Sequence, residues 1–101
     1  MMQIQLPVDQ SKIVHFCQKW QVLEFSLFGS VLRDDFRPDS DVDVLVTFAE
    51  GSPFSYMDWP DMQDELKSIF GREIDLISSR GLRNPYRRKE ILETREVLYA
   101  A

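Results

Sequence analysis

The stretch "FGSVLRDDFRPDSDVDVLVTF", Phe28 to Phe48, decides how this chain is read. It closes on Val42–Phe48, where Val42, Val44, Val46 and Phe48 alternate with Asp43, Leu45 and Thr47. A period of two predicts a strand with one apolar face, and Asp41 extends the other face. Strands are poor in aspartate, yet Asp41 and Asp43 stand on one side of this one. At ~3.3 Å per residue they lie about 7 Å apart. They repel by roughly 2 kcal/mol at an effective dielectric near 20. A divalent cation offsets that repulsion, and hard oxygen ligands suit Mg²⁺, which binds through one or two carboxylates plus substrate phosphates.

The pattern continues in both directions. Upstream, Asp9 to Trp20 predicts a helix capped by Asp9, with Ile13, Phe16, Cys17 and Trp20 on one stripe. Val22–Phe28 predicts a strand with Leu23, Phe25 and Leu27 on a common face. Gly29 ends it, and a short helix is expected from Ser30. A helix start offers free N–H groups to an anion, glycine lets backbone approach a phosphate closely, and the Ser30 hydroxyl can donate to it.

Downstream, Pro60–Phe70 predicts a helix stopped by Gly71. "REIDLIS" predicts a third strand, with Glu73, Asp75 and Ile77 on one face. If the second and third strands are neighbours, Asp75 joins the aspartate face, and three carboxylates can hold two cations for an in-line displacement. Asn84-Pro85 opens a last helix, and "VLYA" is an edge strand or a tail. Strands interleaved with helices predict an α/β fold, a mixed sheet of three to four strands packed against helices. The strand directions stay open at this point.

The chain has 101 residues, 44% hydrophobic and 29% charged, which fits one domain spanning 1–101. Twelve basic against 17 acidic residues give a net charge of −5, which disfavours general nucleic-acid binding. The one basic run is Arg80, Arg83, Arg87, Arg88 and Lys89. It reads as a solvated helix face, or as a grip for RNA, an acidic partner or a triphosphate. Cys17 is alone, which excludes an internal disulfide framework and places it in the core. His15 reads as structural. No apolar run approaches a membrane span, and the start "MMQIQLPVDQ" carries no signal-peptide pattern. A cytoplasmic protein is the expectation.

The spacing Gly29-Ser30, ten residues, Asp41-x-Asp43 resembles the signature of the DNA polymerase β-like nucleotidyltransferases. The surrounding "LFGSVLRDDFRPDSDVDVLV", the short chain and the later Asp75 resemble the minimal nucleotidyltransferases. Leu32 and Asp34 stand where Ala and Gly are common in that family. The resemblance implies that Asp41, Asp43 and Asp75 are catalytic and bind metal, Asp75 doubling as general base. It implies that Gly29 and Ser30 bind the triphosphate of ATP. Arg33 matches the arginine of "GSxxR" and is expected at phosphate, an ion pair with Asp34 or Asp35 being the competing reading. The implied reaction moves AMP onto a hydroxyl, and the implied acceptor is a tyrosine of a HEPN-domain toxin, this chain being its antitoxin. Two other readings are an antitoxin that neutralises by binding alone and transfer to a small molecule such as an aminoglycoside. Leu45 and Ile77, on the aspartate face, are expected as exposed apolar residues at a partner interface.

Overall fold

The computed structural model describes residues 7–34, 36–54 and 56–101. Asp35 and the N-terminal stretch 1–6, on which part of the leader reading rests, lie outside them. The order is α1 (Gln10–Trp20), β1 (Val22–Phe28), a 3-10 turn (Gly29–Leu32), β2 (Val42–Phe48), α2 (Trp59–Phe70), β3 (Ile74–Ser78), α3 (Pro85–Thr94) and β4 (Glu96–Ala100). The strands form one sheet in the order β3-β2-β1-β4. β1 runs antiparallel to both β2 and β4, and β2 runs parallel to β3, so the sheet is mixed. The parallel pair follows from α2, since parallel neighbours need a crossover connection.

The helix ends follow their local chemistry. The Asp9 side chain accepts from the Lys12 amide at the start of α1. Asn84 accepts from the amides of Tyr86 and Arg87, and Pro85 occupies the first turn of α3. Gly71 closes α2 in the left-handed region at φ 67°.

Two apolar clusters lie on opposite faces of the sheet. The larger joins Ile13, Phe16 and Trp20 of α1 and Met62, Leu66 and Phe70 of α2 to Phe25, Leu27, Val44 and Leu76 of the strands. Cys17 is buried there, and burial pushes its thiol up to about 12. The smaller joins Phe28, Leu45, Leu82 and Ile91, with Ile77 and Leu92 against them. α3 therefore covers part of the aspartate face, and Leu45 is 4% exposed. This corrects the expectation that Leu45 and Ile77 form an exposed interface. A strand's alternation shows which residues share a face but not whether a later helix lies on it.

A second correction concerns β1. Leu23 does not share a buried face with Phe25 and Leu27; it is 44% exposed, and Val22 is buried instead. The register of β1 against β2 shifts between Val22 and Glu24. The irregularity breaks the two-residue period, which a pattern of apolar residues cannot reveal. The expected strand from Arg72 begins at Ile74. The C-terminal run is an edge strand rather than a tail. Among the described residues no helix is long and apolar enough to cross a membrane.

Candidate active site

Asp43 sits on β2, inside the sheet, and Asp75 sits on β3 at its edge. They are register partners in the parallel ladder, so both carboxylates leave the same face side by side. Asp41 lies one residue before β2 and is exposed. On the other side of Asp43, its antiparallel partner is Phe28, the residue before the Gly29 turn. Sheet pairing thus brings together three segments that are far apart in the chain.

Gly29 has φ +77°, a conformation that side chains rarely adopt. A Cβ built there falls 2.2 Å from Oδ2 of Asp43. The glycine is therefore required twice, for its backbone angle and because the carboxylate occupies the space of a side chain. Ser30 follows, half-buried in the same turn.

The electrostatics are unbalanced toward negative. Burial, with the charges of Asp75 and Asp41 adding to it, pushes the Asp43 carboxyl up to about 6. The guanidinium groups of Arg87 and Arg33 pull the other way. Arg33 is thus within electrostatic reach of Asp43. The charges of Asp41, Asp43 and Asp75 meet, but among the described residues no three carboxylate, imidazole or thiol groups are close enough to hold a metal ion by themselves. That arrangement fits the Mg²⁺ mode in which one or two carboxylates share the ion with substrate phosphates. The hard-oxygen donor set and the excess negative charge both suit such an ion.

Two residues had roles that sequence reasoning missed or left open. Arg72 Nη1 donates to the carbonyls of Arg37 (2.7 Å) and Ser40 (3.2 Å), and its guanidinium lies over the Phe36 ring at 4.2 Å. It ties down the loop that delivers Asp41. Phe36 and Arg37 carry no pattern that would have announced this. Arg87 belonged to the basic run, but only the fold shows which of its five cations reaches Asp43. His15 is exposed on α1.

A family profile described as nucleotidyltransferase domain matches residues 12–98. The chain belongs to that family. This nucleotidyltransferase is 33% identical to the protein adenylyltransferase MntA of Thermococcus cleftensis over 81% of this chain and 78% of that one. It superposes on a solved minimal nucleotidyltransferase with a TM-score of 0.71, at 31% identity and 86% coverage of both chains. It also matches a chain of the complex of a tri-AMPylated Shewanella oneidensis HEPN toxin with its MNT antitoxin, with a TM-score of 0.65. There the identity is 18%, over 91% of this chain and 70% of that one, a likeness of fold. The single-sheet α/β architecture read from the sequence is thus the minimal nucleotidyltransferase fold.

Proposed function

We propose that this nucleotidyltransferase moves AMP from ATP onto a tyrosine hydroxyl of a HEPN-type toxin, and that it serves as the antitoxin of that pair. One observation carries the reading: Asp43 is paired in register with Asp75 and pressed against a glycine whose side-chain space it fills. A strand face used only for solubility has no need of that arrangement. The adenylyltransferase relative and the fold shared with an antitoxin bound to an AMPylated toxin support the choice of AMP and of the acceptor.

In the proposed reaction the acceptor oxygen attacks the α-phosphorus of ATP. The bond from that phosphorus to the bridging oxygen breaks, and pyrophosphate leaves. Asp41 and Asp43, with Asp75 beside them, are the residues that would hold Mg²⁺. When bound, the ion supplies charge neutralisation and lowers the pKa of the acceptor hydroxyl. Asp75 is exposed at the sheet edge while Asp43 is half-buried, so Asp75 is the carboxylate open to an incoming hydroxyl, positioned to take its proton. The Gly29-Ser30 turn offers its amides and hydroxyl to the phosphates, with Arg33 nearby.

The test is transfer of label from α-labelled ATP to the product of the adjacent gene. Label is expected on a tyrosine of that protein, only with a divalent cation, and is expected to vanish in the Asp41→Asn, Asp43→Asn double variant. Label that persists in the double variant would overturn the assignment. Full neutralisation of the toxin by the unreactive variant would favour binding alone.

A further inference from the structure

α3 meets the aspartate face through Ile91, which is buried with Phe28, Leu45 and Leu82. Phe28 pairs with Asp43 across the ladder, and Leu45 stands two residues beyond Asp43 on the same side. Arg87 precedes Ile91 by four residues, so it leaves α3 on the same face, one turn nearer the N-terminus. The stripe continues through Glu90 and Thr94, which line a cavity of about 200 Å³ with Gly29, Leu32 and Arg33. The turn and the helix are therefore the two walls of this cavity, and Phe28, the residue before the turn, pairs with Asp43. Among the described residues the Arg87 guanidinium makes no hydrogen bond or ion pair, although its charge acts on Asp43.

We propose that Arg87 is a phosphate-binding residue of the donor site, reaching the β- and γ-phosphates from the α3 wall, opposite the Gly29-Ser30 turn. The inference rests on the nucleotidyl-transfer reading and adds the residue that anchors the leaving pyrophosphate. A triphosphate brought beside three aspartates needs more positive charge than one arginine on the turn supplies. A planar guanidinium meets two phosphate oxygens with parallel hydrogen bonds, which a lysine cannot reproduce. Asn84 fixes the start of α3 by accepting from the Arg87 amide at 3.2 Å. Arg88 ties the helix to the turn after β3 through the Ser79 carbonyl at 3.1 Å. The cation is thus mounted on a held element.

The experiment is calorimetric titration of the whole chain with MgATP and, separately, with AMP. Arg87→Gln is expected to weaken MgATP by about 10-fold to 100-fold, the loss of a charge-assisted bond, and AMP by less than about threefold. Arg87→Lys is expected to recover part of the loss. Lys89→Gln removes an equal charge from the same helix and is expected to bind MgATP as the parent does. Arg87 is exposed, so its variants are expected to keep the parent's melting temperature. The proposal is overturned if Arg87→Gln binds MgATP within about twofold of the parent, if it weakens AMP as much as MgATP, or if Lys89→Gln falls equally. A parent chain that binds no MgATP at all would remove the nucleotidyl-transfer reading itself, and Arg87's role with it.

Discussion

Gly29 and Asp43 compete for one volume, and the carboxylate has it. Gly29→Ala is expected to displace Asp43, lowering transfer by about a hundredfold and stability by about 1–2 kcal/mol for the strained backbone. A transfer assay and a melting curve read the two effects separately. Asp43 itself is held at about 6, above its ordinary 3.8. The folded chain keeps a proton there that the unfolded chain releases. This contribution to stability is complete below pH ~4 and lost as the pH rises through about 6. Without divalent cation at pH 7.5, Asp43→Asn is expected to stabilise the protein by about 1 kcal/mol, discounted because the carboxylate keeps much of its solvent contact. At pH 4 the gain is expected to vanish; a gain that persists there would show that another cause is at work. Mg²⁺ affinity is likewise expected to fall as protons compete below pH ~6. Much of this was legible in the chain itself: Gly-Ser at a fixed distance from two alternating aspartates, and an aspartate in a later strand. The closeness of Gly29 to Asp43 was not, because it comes from the pairing of Phe28 with Asp43.

At the scale of elements, α3 decides what the aspartate face becomes. Leu45→Ala removes the residue on which Ile91 rests and is expected to cost about 2–4 kcal/mol, measured by denaturant unfolding. Periodicity located β2, α2 and β3, and the caps Asn84 and Gly71 marked their helix ends correctly. It could not show that α3 folds back over Leu45, because α3 has one buried residue, Ile91, with Leu92 half-buried beside it, and is otherwise exposed and mostly charged or polar. The parity of β1 was lost to a register shift for the same reason: pairing is a property of two strands, and only one was in view. Arg72 acts between elements, joining the residue before β3 to the loop before β2. Arg72→Ala is expected to lower transfer by about tenfold by loosening Asp41, while the helix content seen by circular dichroism stays unchanged.

Across the whole molecule, the order β3-β2-β1-β4 places Asp43 on an inner strand and Asp75 on an edge. The inner position half-buries one carboxylate behind the glycine turn. The edge position leaves the other open for an acceptor to approach. The opposite edge is β4, which pairs with β1 and is followed by a bond from the Ala101 amide to the Leu23 carbonyl at 2.8 Å. Arg95, at the end of α3, donates to Glu24 at 3.0 Å and locks this side of the sheet to the helix that carries Arg87. Sheet pairing thereby sets the acidic groups of a net −5 chain side by side on one face, placed to share a cation. The most direct test of that claim is Mn²⁺ binding followed by electron paramagnetic resonance, with a non-hydrolysable ATP analogue present, in the parent and in Asp41→Asn, Asp43→Asn and Asp75→Asn. Each substitution is predicted to weaken Mn²⁺ by tenfold or more. Parent-like Mn²⁺ affinity in all three variants would contradict a shared cation at this face.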